Sequence, residues 1–402
     1  MLQFLKFIKT NLKPLSYGWV LTFLSSFGQT YLISLYVVHL VRDFNITEGG
    51  FGAIYAGCTV ISSVVMLSIG HTVDHVSIKK VTFFTILALA SCCILLGFSY
   101  HLGVVFIALV GMRLCGQGML SHISFTILSK YFEKDRGKAI SFSTLGFSIG
   151  EAILPLLIVS VIAYFDWRIA MIGSGVLLLL YLIRLWFTDL SHFNSQLNQF
   201  RPSSRSLLKD FFEIIKDKRF MIIMPTSIVI SFTVTAVIFY QYVFVEQKEW
   251  SATLYAGFFT AYAITRLLFS LFGGVWVDKF SAKTLFRFYL FPIVFGLLAF
   301  AFINSIIGAL VYLIMMGITV GMSGTIKTAV LAEVYGVKKL GTIRSLFTMF
   351  MVFSTALGPL IVGLMIDYGM SITIIMSCLA GLVLVCGLNA QRIKKIKRIE
   401  FQ

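Results

Sequence analysis

Charged side chains are scarce in this chain, and acidic ones are the scarcest. Asp, Glu, Lys and Arg together make up 12% of the 402 residues, whereas a soluble domain holds about 25%. Hydrophobic residues make up 58%, and the mean hydropathy is +0.93. The longest polar segment, residues 189–218, is too short to form a soluble domain. The composition therefore argues against a soluble enzyme and predicts an integral membrane protein.

Proline and cysteine are also few, with six of each. All the cysteines fall inside apolar runs, and the adjacent pair Cys92 and Cys93 has no histidine near it. We therefore expect neither a disulfide framework nor a zinc site. The sequence contains no P-loop pattern, and Gly116-x-Gly118 alone is no nucleotide signal, so ATP hydrolysis is not expected. No metal and no cofactor is predicted.

Apolar runs long enough to cross a bilayer, roughly 20 residues each, recur from one end of the chain to the other. They predict twelve transmembrane helices, of which the first covers 17–41 and the fourth 102–130. Of the 33 Lys and Arg residues, 26 fall in the tails and loops of one predicted side. The other side has three: Arg42, Arg168 and Lys248. The positive-inside rule then predicts cytoplasmic termini and a multi-pass plasma membrane (bacterial inner membrane) protein. Because the positive charge is concentrated in the tails and loops of one predicted side of the membrane, nucleic-acid binding is not expected.

An internal repeat divides the chain. A shift of 204 residues superimposes Gly70 on Gly274, Asp74 on Asp278, Tyr131 on Tyr335 and Pro155 on Pro359. The predicted fold is therefore an all-α integral membrane protein with two pseudo-symmetric six-helix bundles. The bundles cover residues 1–188 and 219–402, and a cytoplasmic linker, 189–218, joins them. Parallel six-plus-six repeats are a transporter architecture, with the substrate site near the midplane of the membrane.

The loop after the second predicted helix has a family signature. It reads Gly70-His-Thr-Val-Asp74-His-Val-Ser-Ile-Lys79-Lys80 and resembles the signature of the major facilitator superfamily, as does its repeat from Gly274 to Lys283. Asp135-Arg136-Gly137 at the start of the fifth helix, and Arg266 within the eighth, are similar to the branch of monocarboxylate carriers and oxalate–formate exchangers. The resemblance implies the major facilitator fold and a carboxylate substrate. It also implies conformational gating by a set of loop residues: Gly70, Asp74, Gly274, Asp278 and Arg136.

Four ionisable residues lie deep in predicted helices. Inserting each charged side chain into the hydrocarbon core of a membrane costs about 3 kcal/mol or more. Glu151 is the one deep carboxylate, and Pro155 at i+4 leaves its carbonyl without an amide donor. A buried carboxyl whose charged neighbours move can bind and release a proton, so Glu151 is the predicted proton-coupling residue. Arg266 is predicted at similar depth, and we expect a Glu151–Arg266 contact. The alternatives are a permanent ion pair for Glu151 and a helix-bracing role for Arg113.

The remaining polar candidates lie on helices that line the central cavity in the superfamily. Gln117, Ser121 and Ser124 follow Arg113 at i+4, i+8 and i+11, so that one polar stripe runs along the fourth predicted helix. Gln29, Tyr240 and Gln241 lie in the first and seventh helices. Polar residues in lipid also hold helices together, and that alternative stays open. The predicted substrate-binding residues are Arg113, Arg266, Lys327, Gln29, Gln117, Gln241 and Tyr240.

The balance of deep charges suggests the type of substrate. Three deep cations, Arg113, Arg266 and Lys327, outnumber the one deep anion, Glu151. An anionic substrate would balance this surplus of two positive charges. The leading hypothesis is a proton-coupled carrier of a small organic anion that works by alternating access. The alternative is a proton-driven exporter of amphipathic drugs or of a secreted metabolite such as a siderophore. A membrane scaffold or sensor without transport is a third class. The expected partners are substrate, protons and the lipid bilayer, and no oligomer is required.

Overall fold

The computed structural model describes residues 2–70, 72–132, 135–194, 215–335 and 340–395. These ranges are helical, with short connections and no strand. Within them, eleven helices are long and apolar enough to cross a membrane. A bent pair, Leu12–Gly28 with Thr30–Asp43, makes a twelfth if it is counted as one span. The predicted all-α membrane fold is confirmed.

The helices form two compact units, residues 1–46 with 57–200 and residues 47–56 with 201–402. Unit 1 denotes the first set and unit 2 the second. Of the predicted linker 189–218, residues 195–214 lie outside the described part of the chain. The helices up to that gap are α1 Leu2–Thr10, α2 Leu12–Leu24, α3 Thr30–Ile33, α4 Val37–Asp43, α5 Glu48–Ile69, α6 Thr72–His75, α7 Ile78–Gly97, α8 Leu102–Met112, α9 Ser121–Tyr131, α10 Arg136–Tyr164, α11 Trp167–Trp186 and α12 Ser191–Asn194.

Unit 2 continues with longer and mostly unbroken helices. They are α13 Phe220–Gln247, α14 Ala252–Phe280, α15 Ala282–Phe286, α16 Phe291–Phe302, α17 Ile307–Tyr335, α18 Leu340–Asp367 and α19 Ile372–Ala390. The first part of α5 belongs to unit 2 and the remainder to unit 1.

Hydroxyl groups and glycines hold α2 against its neighbours in unit 1. Thr22 Oγ1 donates to Ser143 O at 2.5 Å, and the hydroxyls of Ser124 and Ser143 both donate to Gly18 O. Gly146 has no space for a side chain, because a Cβ there would lie 2.2 Å from Thr22 Oγ1. This is the helix-joining role of polar and small residues in membranes.

Glycine also sets the close approach of two helices in unit 2. Gly317 and Gly321 of α17 lie against the backbone of α14, where a Cβ on Gly321 would be 2.5 Å from Arg266 O. Small residues at i and i+4 let two backbones approach, which is how helices pack where lipid gives no hydrophobic drive. The position of the Arg266 backbone is therefore fixed by α17.

Cations cap the carbonyl groups at one end of each unit. Arg168 Nη1 donates to Ser99 O at 2.5 Å just after α7, and Arg168 also pairs with Asp43 at 3.2 Å. In unit 2, Lys248 Nζ donates to Phe300 O at 2.7 Å near the end of α16, and burial lowers the pKa of its ammonium. The orphan carbonyls of a helix C-terminus favour positive charge. Both cations are among the three residues predicted for the non-cytoplasmic side.

Candidate transport site

The first membrane span of unit 1 is broken near its middle. Instead of the continuous helix predicted over 17–41, α2 ends in a 3₁₀ turn, Ser25–Gly28. Gln29 is extended at φ −80° and ψ 149°, and α3 begins at Thr30. The two parts of the span meet at a bend of 41°. Such a break exposes backbone polar groups, and inside a membrane it is tolerated where it is buried in protein or lines a cavity.

A second irregularity lies directly against the break. Residues Arg113–Leu120, between α8 and α9, form a π-helix. Gly28 and Gly116 touch through their backbones: a Cβ on Gly28 would lie 2.1 Å from Met112 O and 2.7 Å from Gly116 Cα. π segments occur mostly as local insertions at functional sites. The π turn also changes the register of the polar stripe expected from Arg113 through Gln117 to Ser121 and Ser124.

Arg113 is the charged group at this junction. Its side chain is 4% exposed, and Nη1 donates to Thr30 Oγ1 at 3.1 Å, immediately after the break. Gln29 precedes Thr30, and the backbone amide of Gln117 faces Gly28. Three of the predicted substrate-binding residues, Gln29, Arg113 and Gln117, therefore surround one feature of unit 1.

Glu151 lies on the other helix that packs against the break. It is 8% exposed on α10. The neighbouring Gly150 is so close to the 3₁₀ turn that a Cβ would be 2.4 Å from Ser26 Oγ and 3.0 Å from Tyr31 Oη. A buried carboxylate and a buried guanidinium thus flank the same broken helix within unit 1.

Two hydroxyl groups of this region make no hydrogen bond within the described part of the chain. Ser26 Oγ in the 3₁₀ turn and Ser121 Oγ at the end of the π segment are both buried. Ser124, the last residue of the predicted stripe, instead donates to Gly18 O. Buried polar groups normally find partners, so Ser26 and Ser121 are available to water or to a polar ligand.

The predicted substrate-binding residues of unit 2 each contact different residues. Gln241 Oε1 accepts from Tyr255 Oη at 3.1 Å, and Lys327 Nζ lies 3.9 Å from Met351 Sδ. Arg266 is half-buried on α14. Their assignment to substrate binding stays a prediction.

Tyr240 belongs to a cluster of backbone contacts in unit 2. Its hydroxyl donates to Glu48 O at 2.6 Å, and the Gly49 amide donates to Asp367 Oδ2 at 3.0 Å. A Cβ on Gly363 would lie 2.3 Å from Tyr240 Oη, so the fit depends on glycine. Asp367 was not among the sequence candidates, because a carboxylate at a helix end looks like a solvated loop residue.

Only part of the predicted gating set falls among the described residues. Gly70 is buried, and its carbonyl lies 3.1 Å from His122 Nε2. The helix backbones that carry Asp74, Arg136, Gly274 and Asp278 are described, but the surroundings of these four residues lie outside the described part. Their gating role stays a prediction.

One sequence signal could have located the break. Ser25-Ser-Phe-Gly28-Gln-Thr30 places five small or polar residues in an otherwise apolar run. A hydrophobic segment interrupted in this way indicates a discontinuous helix and a binding site in transporters. The π segment has no equivalent signal, because Gly116 and Gly118 are equally compatible with a regular helix.

Comparison with known proteins assigns the family. The family model described as Major Facilitator Superfamily matches residues 18–261 and 247–397. The chain belongs to this superfamily. It is a multi-pass protein of the lipid bilayer that transports a small-molecule substrate, and it is not an enzyme. No curated protein sequence matches the chain.

Solved structures with the same fold are distant in sequence. A bacterial homolog of the human lysosomal transporter Spinster, inward-facing and unoccupied, has a TM-score of 0.75 at 14% identity over 95% of this chain and 96% of that one. The nucleoside transporter NupG has a TM-score of 0.75 at 15% identity over 96% of this chain and 100% of that one. At these identities the likeness shows the fold alone. The monocarboxylate and oxalate–formate resemblance is not confirmed.

Proposed function

We propose that the protein is a proton-coupled transporter of a small organic anion that works by alternating access, with both termini in the cytoplasm. One observation carries the proposal: a buried arginine and a buried glutamate flank the break in the first span of unit 1. Arg113 is the predicted anion-binding group, and hydrogen-bonding residues lie at the break (Ser26, Gln29) and in or just after the π segment (Gln117, Ser121).

The location of Glu151 supports proton coupling. The charge state of a buried carboxyl depends strongly on nearby charges, so a shift of the broken helix would change its affinity for a proton. The same helix carries Thr30, to which Arg113 is bonded. Substrate binding at Arg113 and protonation of Glu151 would therefore act on one element, the broken span. The Glu151–Arg266 contact stays a prediction.

The test uses purified protein in liposomes and a panel of mono- and dicarboxylates, including formate, lactate and oxalate. Glu151→Gln should abolish uptake driven by a pH gradient and spare exchange at equal pH, because exchange needs no net proton movement. Arg113→Gln should weaken anion binding by about 10- to 100-fold, the loss of a charge-assisted hydrogen bond.

Two exposed residues provide matched controls. Glu246→Gln and Arg184→Gln remove the same charges elsewhere in the chain and should leave transport unchanged. Gradient-driven uptake at the wild-type level in Glu151→Gln would exclude this coupling role. If Arg113→Gln left anion binding unchanged while amphipathic cations were transported, the exporter would be the better assignment.

A further inference from the structure

An apolar groove opens on the surface of unit 1, lined in part by the π segment. It has a volume of about 400 Å³, within the range of small-molecule sites, roughly 300–1,000 Å³. Residues from the end of α5, from α6 and its following turn, from α7 and from the π segment line it. They are Ile69, Thr72, Val76, Lys80, Val81, Phe84, Thr85, Ala88, Cys115 and Met119. These residues form the lysine groove.

The walls of the lysine groove suit a hydrocarbon chain. Cys115 and Met119 form the floor at 8% and 3% exposure, and Phe84 at the rim is 64% exposed. The two threonine hydroxyls are bonded to backbone carbonyls: Thr72 donates to Ile69 O at the end of α5, and Thr85 donates to Val81 O within α7, both at 2.7 Å. Both hydroxyls are thus used within the protein, and among the described lining residues the others, apart from Lys80, are apolar. An open apolar cavity on a membrane-spanning segment favours an apolar occupant.

Charge at the rim specifies the other end of that occupant. Lys80 is exposed in the first turn of α7, where the helix dipole also favours an anion. The adjacent Lys79 donates to Trp186 O at 2.6 Å. The long lysine side chain can keep its ammonium at the membrane surface while its methylenes cover the groove. A ligand in the lysine groove would thus contact apolar walls along its length and a cation, Lys80, at the level of the lipid headgroups.

Unit 2 has a groove of the same chemical character. It has a volume of about 550 Å³ and is lined by Met221, Pro225, Val385, Cys386, Leu388, Asn389 and Arg392. Arg392 is its single charged residue and is exposed. Asn389 Nδ2 is already bonded to Met221 O at 3.1 Å. An apolar groove with one exposed cation therefore occurs in each unit, at positions that the 204-residue repeat does not relate.

We propose that the lysine groove is a binding site for an anionic phospholipid, with an acyl chain against Cys115 and Met119 and the phosphate on Lys80. The site is separate from the proposed transport site, but the two share the π segment, since Cys115 and Met119 lie between Arg113 and Leu120. A bound lipid would therefore stabilise unit 1 and the π segment together.

The experiment measures lipid binding to the full chain in detergent by native mass spectrometry. The probes are phosphatidylglycerol and phosphatidylcholine with identical chains, and inorganic phosphate tests the headgroup alone. The wild type should bind phosphatidylglycerol in preference to phosphatidylcholine. Lys80→Gln should weaken phosphatidylglycerol binding about fivefold. Ala88→Leu keeps the charge but fills the cavity, so it should weaken both lipids.

Lys13→Gln is the matched control, since it removes one exposed lysine outside the groove, and its lipid binding should equal that of the wild type. Equal binding of both lipids by the wild type would overturn the proposal. So would phosphatidylglycerol binding at the wild-type level in either Lys80→Gln or Ala88→Leu. If phosphate alone competed fully with phosphatidylglycerol, the site would be for a free anion and the acyl-chain assignment would be wrong.

Discussion

At the scale of single residues, the smallest side chains decide which backbones touch. Gly28 and Gly116 bring the broken span against the π segment, and Gly317 and Gly321 bring α17 against α14. Packing this close gives dispersion contacts that lipid cannot replace, and an added methyl group would force the helices apart. The arginine at the proposed site and the arginine on α14 both owe their positions to these glycines.

A proline in α13 has a compensating partner on α19. Pro225 has no amide hydrogen, so the Met221 carbonyl loses its helical donor, and Asn389 Nδ2 donates to it instead. We expect Asn389→Leu to lower the free energy of unfolding by about 0.5–1.5 kcal/mol, because the Met221 carbonyl loses the donor that replaces its missing helical amide. Thermal unfolding in detergent measures the change.

Pro225→Ala provides the control for this prediction, since alanine at 225 restores the missing amide. In the Pro225→Ala background, Asn389→Leu should cost much less than it does alone. Equal losses in the two backgrounds would show that Asn389 acts through some other contact.

At the scale of elements, the spans related by the repeat differ. The first span is interrupted at Ser25–Gln29, whereas its counterpart α13 runs unbroken from Phe220 to Gln247. Likewise the fourth span contains a π segment, whereas α17 is continuous from Ile307 to Tyr335. The irregular elements of the two spans lie together in unit 1. The repeat therefore preserves the fold, while the irregular backbone of these two spans is confined to one unit.

The interrupted span should open more readily than its counterpart. We expect backbone amides of residues 25–30 to exchange with deuterium faster than those of 229–234, because a broken ladder has fewer cooperative hydrogen bonds to hold it closed. Hydrogen-exchange mass spectrometry in detergent or nanodiscs measures both segments in one sample. The counterpart segment is an internal control for solvent access, and equal protection of the two would contradict the prediction.

At the scale of the whole molecule, the distribution of charge predicts the orientation in the membrane. Lys and Arg concentrate in the tails and alternate loops, and the few on the other side cap helix ends at Arg168 and Lys248. The structure thus gives these minority cations a local role, which explains why they are tolerated against the bias.

A protease-protection experiment tests this orientation. A tag at either terminus, or at a site within 195–214, should resist protease added outside intact cells, because the positive-inside rule places these segments in the cytoplasm. A tag after Asn45, in the predicted external loop, should be cleaved and is the positive control. Cleavage of a terminal tag in intact cells would reverse the predicted topology.

The amino-acid sequence by itself determined the class of protein. Apolar runs of membrane-spanning length, the 204-residue repeat and the loop beginning at Gly70 predicted an all-α transporter of the major facilitator superfamily, and fold and family are confirmed. These features are local or periodic, so composition and spacing are enough to reveal them. The identities of Arg113, Gln29 and Gln117 as candidates also came from the sequence, because polar groups are costly in a membrane.

Only the tertiary structure decided how those candidates are grouped. The break at Gln29, the π segment and the contact of Gly28 with Gly116 arise from packing between residues almost 90 positions apart. The sequence predicted a continuous first helix, because the apolar run is long enough to span a membrane whether or not the helix is broken. Whether a polar residue joins helices, as Ser124 does, or lies beside a broken backbone, as Ser26 does, depends on which neighbours the fold brings to it.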